Sequence, residues 1–460
     1  MKKSIACLFS ILMGCLLAFS ACGSTAQSPS DVAVSQTEAP AAANEQTSEA
    51  PAVTNEETSE AEAAVTITIQ NYGSEGDKEV YNGAYERLKE KYPNLTVVDN
   101  FSPITSWGDY CNKIVALVAA GNAPDVCNLA TEGARLLVSK NVVEDITDAY
   151  NNDPSFAPVR DDVHPSLIEA LMVDGRIYYI PNSWNNMVIY YNTRMFAEAG
   201  LEPPKPDWTW DDFLNAAKTL TTGEGESKVW GFAIPNFNFA LTPWLLTNST
   251  AQLNADWNAS NLDDPKAIES MQFVYDLVYT HKVSPQPNDP NAENTDNTNL
   301  FAAERVAMTG AGHWIINTLH ANDFYDYDVQ YWPRNTSSTS VMGVGALAVM
   351  KDSQNKEMAM EVIKALVDPV TAQASADMGV AIPALRSVAY SESFLAMPKN
   401  SRIFYDCLDD AASVAAPANF GEVEAIFTRH VNEFLADQKT VQQAMGDAHR
   451  ELNESFLMMD

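Results

Sequence analysis

From residue 65 onward, short runs of alternating apolar positions are separated by segments with helical apolar spacing. Alternation and apolar runs predict strands at 65–69, 95–98 and 124–129. One helix is predicted between the first two strands, ending at Lys91 before Pro93, and a second over 109–120. This order is typical of right-handed βαβ units, so the sequence predicts an α/β fold with a parallel sheet.

Residues 175–201 read as strand, turn, strand and helix, with the polar insert 182–186 as the turn. Trp184 stands in this insert among small polar side chains. One interpretation is a hydrophobic plug on a turn; the other is a site where a flat ring and amide groups meet a polar ligand. Further along, Thr209 with Asp212 forms a capping box, and Asp264 before Pro265 starts another helix. A buried strand is predicted at 344–350, a helix at 357–367, and a mostly helical remainder.

The first 64 residues have a different composition. Two lysines precede a short apolar run that ends in small residues before Cys22, which predicts a signal peptide over 1–21. The Ser-Ala-Cys-Gly sequence there resembles a lipobox, so Cys22 is predicted to be lipidated; plain secretion is the alternative. Residues 22–64 are rich in Ala, Ser, Thr, Pro and Glu, and predict a disordered acidic linker.

The formal net charge is −33, of which about −27 falls on residues 65–460. Such a body is not expected to bind nucleic acid, which requires basic patches. Its length suits two lobes rather than one core. Beyond Cys22 there are three cysteines, Cys111, Cys127 and Cys407, which we expect to be free thiols; a Cys111–Cys127 bridge is the alternative.

The sequence lacks the common catalytic motifs. No GxSxG, GxxxxGK or HExxH pattern occurs, and the six histidines form no tight pair. Residues 343–348 match GxGxxA, but at the start of a predicted strand, where the motif cannot aim a helix at a pyrophosphate. We therefore predict no metal, no cofactor and no enzymatic activity, while a pair of glycosidase carboxylates remains a possible alternative.

Several segments together resemble the family 1 extracellular solute-binding proteins, the receptors of bacterial ABC importers that include the maltose-binding type. The similarity covers about residues 65–385. Its parts are GRIYYIP at 175–181, YN at 191–192, FAEAGL at 196–201, TWDDF at 209–213, GNAPDV at 121–126, VAMTGAGHW at 306–314 and NKE at 355–357.

The resemblance implies a two-lobe α/β fold of the periplasmic-binding-protein type II class, with a mixed, mostly parallel sheet in each lobe, a hinge and a central cleft. Residues 65–183 and 341–385 would form one lobe, and residues 184–340 and 386–460 the other. It also implies a monomeric, lipid-anchored receptor on the extracytoplasmic face of a Gram-positive cell membrane. This receptor would close on a carbohydrate and deliver it to the permease subunits of an ABC transporter.

By the family's register, Asn185 and Glu132 stand where maltose-type proteins have sugar-contacting acids, and Trp314 where they have a sugar-stacking tryptophan. Amides and carboxylates can bind the hydroxyl edges of a sugar, while aromatic rings cover its C–H faces. The other expected cleft residues are Tyr72, Ser74, Glu75, Trp184, Asn236, Asn238, Phe239, His313 and Gly343. The alternatives are core or turn packing for the tryptophans, a solvated surface for the acids, turn formation for the asparagines and a structural hydrogen bond for His313.

Two other functions fit the same residues less well. The acidic, aromatic body could bind a polyamine through cation–π contacts, although no acidic cluster coincides with the expected cleft residues along the chain. A secreted glycoside hydrolase is the third hypothesis.

Overall fold

The structure is a computed structural model that describes residues 63–458, apart from residues 103, 105, 288, 293 and 294. The predicted signal peptide, Cys22 and the linker up to residue 62 lie outside the described residues. The strands are β1 Val65–Tyr72, β2 Leu95–Ser102, β3 Val126–Ala130, β4 Ile180–Asn186, β5 Val188–Asn192, β6 Met308–Ala311, β7 Tyr327–Gln330, β8 Ser340–Val349, β9 Ile382–Pro383 and β10 Ala411–Ser413.

Helices fill most of the intervening chain, and several 3-10 turns connect them. The α-helices are α1 Glu75–Lys91, α2 Trp107–Ala119, α3 Thr131–Ser139, α4 Thr147–Asn152, α5 Ala157–Arg160, α6 Pro165–Glu169, α7 Thr193–Glu198, α8 Trp210–Leu220, α9 Asn238–Leu246, α10 Pro265–Val278, α11 Asn297–Ala302, α12 Ile316–Ala321, α13 Lys356–Leu366, α14 Pro369–Asp377, α15 Arg386–Ala389, α16 Glu392–Ala396, α17 Ile403–Asp406, α18 Phe420–Leu435 and α19 Val441–Leu457.

The predicted βαβ units are confirmed, since β1 pairs in parallel with both β2 and β3. The capping box at Thr209 is present at the start of α8, and Asp264 caps α10 ahead of Pro265. The predicted turn at 182–186 is wrong, because these residues belong to β4. The backbone of β4 forms hydrogen bonds with β8 on one side and β9 on the other. This pairing overrides the turn preference of its asparagine side chains.

The larger sheet has the strand order β2-β1-β3-β8-β4-β9, and β10 also pairs with β8. Strand β8 runs antiparallel to both β3 and β4, so the sheet is mixed. β3 is buried throughout, and so is β8 apart from Gly343, as expected for strands at the centre of a sheet that is covered on both faces.

The smaller sheet has the order β6-β5-β7, and both of its pairings are antiparallel rather than parallel as expected. Its central strand β5 separates two hydrophobic cores. Tyr190 packs in the first core, which includes the larger sheet. Ile189 and Tyr191 point the other way, into the second core, because successive side chains of a strand alternate between its faces.

The second core is built mainly from helices. Its largest buried side chains come from α8, α9 and α18, for example Phe213, Trp244 and Phe427. The chain passes from the larger to the smaller sheet between β4 and β5, at Met187. Cys111, Cys127 and Cys407 are buried free thiols, which confirms the expectation of no bridge.

Candidate functional site

Two glycines of β8 form the floor of a polar and aromatic surface. Gly343 and Gly345 lie on the same face of the strand because they are two residues apart. Their partners on β4 are Asn185 and Ser183, so these two side chains share that face. A Cβ on Gly345 would lie 2.6 Å from Ser183 Oγ and 3.0 Å from Tyr72 Oη, so the absence of a side chain lets these groups approach the strand.

Gly343 gives the same access to groups from two further elements. A Cβ there would lie 3.1 Å from the Phe239 ring of α9 and 3.7 Å from Glu132 Oε1 of α3. Phe239 belongs to the second core and Glu132 to a helix that packs on the larger sheet. The floor therefore lies where the parts of the chain built around the two cores meet.

Glu132 is a buried carboxyl beside this floor. Its side chain is in the first turn of α3 and only 6% of the residue is exposed. Its Oε2 has no hydrogen-bond partner among the described residues. Burial raises its pKa to about 7, helped by the negative charge of Glu424 on α18. Such a group can gain much from a ligand that supplies the missing partner.

Exposed aromatic rings adjoin the floor. Trp314 is 39% exposed and Phe237 is 40% exposed, with ring centroids 6.3 Å apart. Phe239 links them to the floor, since its centroid lies 6.4 Å from that of Trp314. The Trp314 ring rests on Gly312, where a Cβ would lie 2.0 Å from it. Trp314 is therefore a surface ring and not a core residue, as expected for a ligand-stacking side chain.

At the other end of the floor, Tyr72 is the last residue of β1. Its ring packs edge-on against Trp107, with centroids 4.8 Å apart. Ser74 and Glu75 follow, but their side chains have other partners. Ser74 forms the capping box of α1 with Asp77, and Glu75 forms an ion pair with Lys78.

Trp184 does not face this surface, which corrects the expectation from the sequence. It lies between Ser183 and Asn185 in β4, so strand alternation turns its ring to the opposite face. There it is 1% exposed and packs edge-on against Tyr405, with centroids 6.2 Å apart. Had 182–186 been a turn, no such alternation would apply. Asn185 keeps the expected face, and its Oδ1 accepts a hydrogen bond from the His313 backbone N–H at 3.1 Å.

Three other expected ligand residues have structural roles. His313 is 2% exposed and stacks on Phe394; burial lowers its pKa to about 3, so the ring is neutral. Asn238 is buried and its Nδ2 donates to Gln252 Oε1 at 3.1 Å. Asn236 is exposed, but its amide donates to Asn432 Oδ1. Each of the two asparagines thus donates a hydrogen bond to a neighbouring amide, and the His313 ring is enclosed by the fold.

Contacts between the two cores surround the site. The Arg135 guanidinium, one turn after Glu132 on α3, lies 4.7 Å from the ring centroid of Trp257, which packs against the second core. Near the start of α2, a Cβ on Gly108 would lie 2.7 Å from the Cα of Gly421 in α18. Sequence reasoning missed Phe237, Glu424 and these contacts. The available sequence signal for the floor was Gly345, which follows Gly343 by two residues and so shares its face of the strand.

The charged groups around one surface cavity elsewhere are already paired. This cavity of about 410 Å³ is lined by residues that include Arg87, Lys91 and Glu361. Its charges pair with each other: Lys91 lies 2.9 Å from Glu361, and Arg87 lies 3.1 Å from Asp368. Among the described residues, no group of three or more His, Cys, Asp or Glu could hold a metal ion. Nor does any described helix combine the length and apolar character needed to cross a membrane.

Comparison with known proteins decides the family. Residues 83–401 match the model for the bacterial extracellular solute-binding protein family. The chain belongs to this family. Two related solute-binding proteins are the arabinooligosaccharide-binding protein of Halalkalibacterium halodurans and the diacetylchitobiose binding protein DasA of Streptomyces coelicolor. The first is 25% identical over 173 residues, 38% of this chain and 37% of that protein; the second is 24% identical over 271 residues, 57% and 60%.

Solved structures of solute-binding proteins show the same two-lobe fold. The ABC substrate-binding protein Lmo0181 from Listeria monocytogenes, in complex with cycloalternan, has a TM-score of 0.76 at 24% identity and covers 85% of this chain and 98% of its own. Maltose-bound T. maritima MalE3 has a TM-score of 0.74 at 22% identity, with 86% and 100% covered. The comparison thus gives this chain the two-lobe fold of a solute-binding protein.

Proposed function

We propose that this protein is the extracytoplasmic receptor of an ABC importer and binds a carbohydrate in the cleft between its lobes. The observation that carries the proposal is the exposed ring group of Trp314 and Phe237, which continues through Phe239 to the unpaired carboxyl of Glu132. Flat rings suit the C–H faces of a sugar, and a carboxyl or amide suits its hydroxyl edges. The ligands named for the two relatives and the two solved structures described above are sugars, which supports the same class here.

In this proposal, the ligand contacts come from both lobes. Glu132, Asn185, Tyr72 and Gly343 belong to the larger sheet and the helices on it, while Phe239 and Trp314 come from beyond β5. A ligand that touches both lobes stabilises the closed form over the open one, because only the closed form makes all of its contacts. The closed receptor then docks on the permease subunits of the importer.

The proposal keeps the remaining expectations from the sequence. The sequence-based boundary between residues 183 and 184 moves to Met187, because 184–186 belong to β4 of the larger sheet. One lobe then consists of residues 65–186 and 341–385, and the other of residues 187–340 and 386–460. A lipid on Cys22 anchors the monomeric protein at the outer face of a Gram-positive membrane. The protein binds its ligand without chemical change, so oligosaccharides incubated with it are expected to keep their length.

The test is a thermal-shift panel of mono- and oligosaccharides with residues 61–460, which form a compact unit. A ligand at a hundred times its Kd should stabilise the protein by about 2.7 kcal/mol. Trp314→Ala should weaken the binding of the best ligand at least tenfold. The control is Tyr325→Ala, which removes another exposed ring, one that stacks on His320. A response to amino acids or metal ions, and to no carbohydrate, would refute the proposal.

A further inference from the structure

Acidic groups on neighbouring elements lie near Glu132, because α18 packs against both α2 and α3. The charged groups that shift the pKa values of Glu132 and Glu424 are themselves acidic. Glu424 acts on Glu132, and Asp109 on α2 acts on Glu424. Burial raises the pKa values of Cys111 on α2 and Tyr72 on β1, and the charge of Glu132 adds to both shifts. Groups on β1, α2 and α18 therefore surround Glu132 with acids and neutral side chains.

The cation nearest to Glu132 along its own helix is engaged elsewhere. Arg135 stacks on Trp257, with 4.7 Å between its guanidinium carbon and the ring centroid. Burial is the largest cause of the raised pKa of both Glu132 and Glu424. A buried carboxylate without a cation is costly, and the cost increases when a second carboxylate is close. The site therefore favours a ligand that brings positive charge.

The rings around the site suit such a ligand. Tyr72 and Phe239 reach the floor beside Glu132, and Trp107 packs on Tyr72. Aromatic faces attract ammonium groups, and an ammonium donates three hydrogen bonds where a hydroxyl donates one. The Oε2 atom of Glu132, buried and without a partner among the described residues, is an acceptor for such a donor.

We propose that the cleft takes a carbohydrate that carries a protonated amine, whose ammonium group pairs with Glu132 and Glu424. This inference rests on the proposed carbohydrate receptor and specifies its ligand class. It also answers the sequence-based objection to cationic ligands, because the acidic cluster forms only when α18 folds against α2 and α3.

The experiment compares glucosamine oligomers with N-acetylglucosamine oligomers of equal length, by calorimetry on residues 61–460 at a pH that keeps the amines protonated. The two series differ in charge but share the sugar backbone. We expect the free amines to bind at least tenfold tighter at low ionic strength, with the ratio falling as salt is added. Binding of the amine should release a proton from the acidic pair, measured as a heat that depends on the buffer, and the acetylated oligomer should release none.

Glu424→Gln tests the pair, and Glu422→Gln is the matched control because it removes the same charge from an exposed position of α18. The first variant should lower the ratio of amine to acetyl affinity several-fold, and the second should leave it unchanged. If the acetylated or other neutral oligomers bind as tightly as the amines, without salt dependence, this inference is wrong while the carbohydrate receptor stands. If no oligosaccharide of any kind binds, both are wrong.

Discussion

Replacing Trp184 separates its structural role from a ligand-binding role. The ring is 1% exposed in the first core and packs against Tyr405. Truncating a buried tryptophan to alanine costs about 3–5 kcal/mol, through lost transfer free energy and the cavity left behind. Folded domains are stable by only about 5–15 kcal/mol, so Trp184→Ala should lower the urea midpoint strongly.

Phenylalanine at the same position should behave differently. The Trp184 indole N–H has no acceptor among the described residues, and such a buried donor costs about 1–3 kcal/mol. Trp184→Phe removes this donor while it keeps most of the ring contacts. The two effects oppose each other, so we expect a net loss below about 2 kcal/mol.

The assay combines urea unfolding, followed by circular dichroism, with titration of the best ligand into folded protein. Both variants should keep the wild-type affinity per folded molecule, within about twofold, because the ring lies on the face of β4 opposite the glycines. Trp314→Ala is the contrasting variant, with near-normal stability and weakened binding. If Trp184→Ala instead kept its urea midpoint and lost ligand affinity, the register of β4 described above would be wrong.

Four further changes test other parts of the structure. Gly108→Ala should lower the free energy of unfolding by about 1–3 kcal/mol, because its Cβ would meet the Gly421 backbone at 2.7 Å. This loss should appear as a lower melting temperature. Gly83→Ala in α1, with nothing within 4 Å of the new Cβ, should stabilise by about 0.5–1 kcal/mol. Burial raises the pKa of Glu132 from its usual 4.5 to about 7, so this group's stabilising contribution is present below pH 4.5 and lost as pH rises through 7. Between these pH values the free energy of unfolding of the free wild-type protein should fall by roughly 3 kcal/mol. Glutamine does not titrate, so urea unfolding of Glu132→Gln should not show this fall. Thr209→Ala should cost about 0.5–2 kcal/mol in the same assay because it removes the cap of α8.

Local pattern was enough to predict the βαβ units. The sequence pattern placed β1, β2 and β3 correctly; β1 and β2 continue past their predicted ends, and β3 begins at Val126 rather than at residue 124. These elements are governed by apolar periodicity and by stops such as Pro93 and Gly121, which are local properties of the chain. The antiparallel pairing of the smaller sheet was not predictable in this way, because β6 and β7 lie more than a hundred residues beyond their partner β5.

The site was predicted in part. Tyr72, Glu132, Phe239 and Gly343 do converge, and Trp314 joins them through Phe239. Asn238 and His313 do not join them. In the folded chain Asn238 donates a hydrogen bond to Gln252, and the ring of His313 stacks on Phe394. Gln252 follows Asn238 by 14 residues and Phe394 lies in α16, so the residues adjacent to Asn238 and His313 in the chain do not indicate these partners.

The register of β8 decides which side chains form the site. With Gly343 and Gly345 on the cleft face, Val344 packs in the core opposite Trp184. A shift of one residue would exchange these faces and put a branched side chain where Glu132 and Phe239 now approach the strand. The burial of Val344 opposes that shift, since the shift would move its side chain out of the core and leave a glycine paired with Trp184. Val344, between the two glycines, thus holds the glycine floor in place, and the polar composition of 182–186 alone could not reveal this.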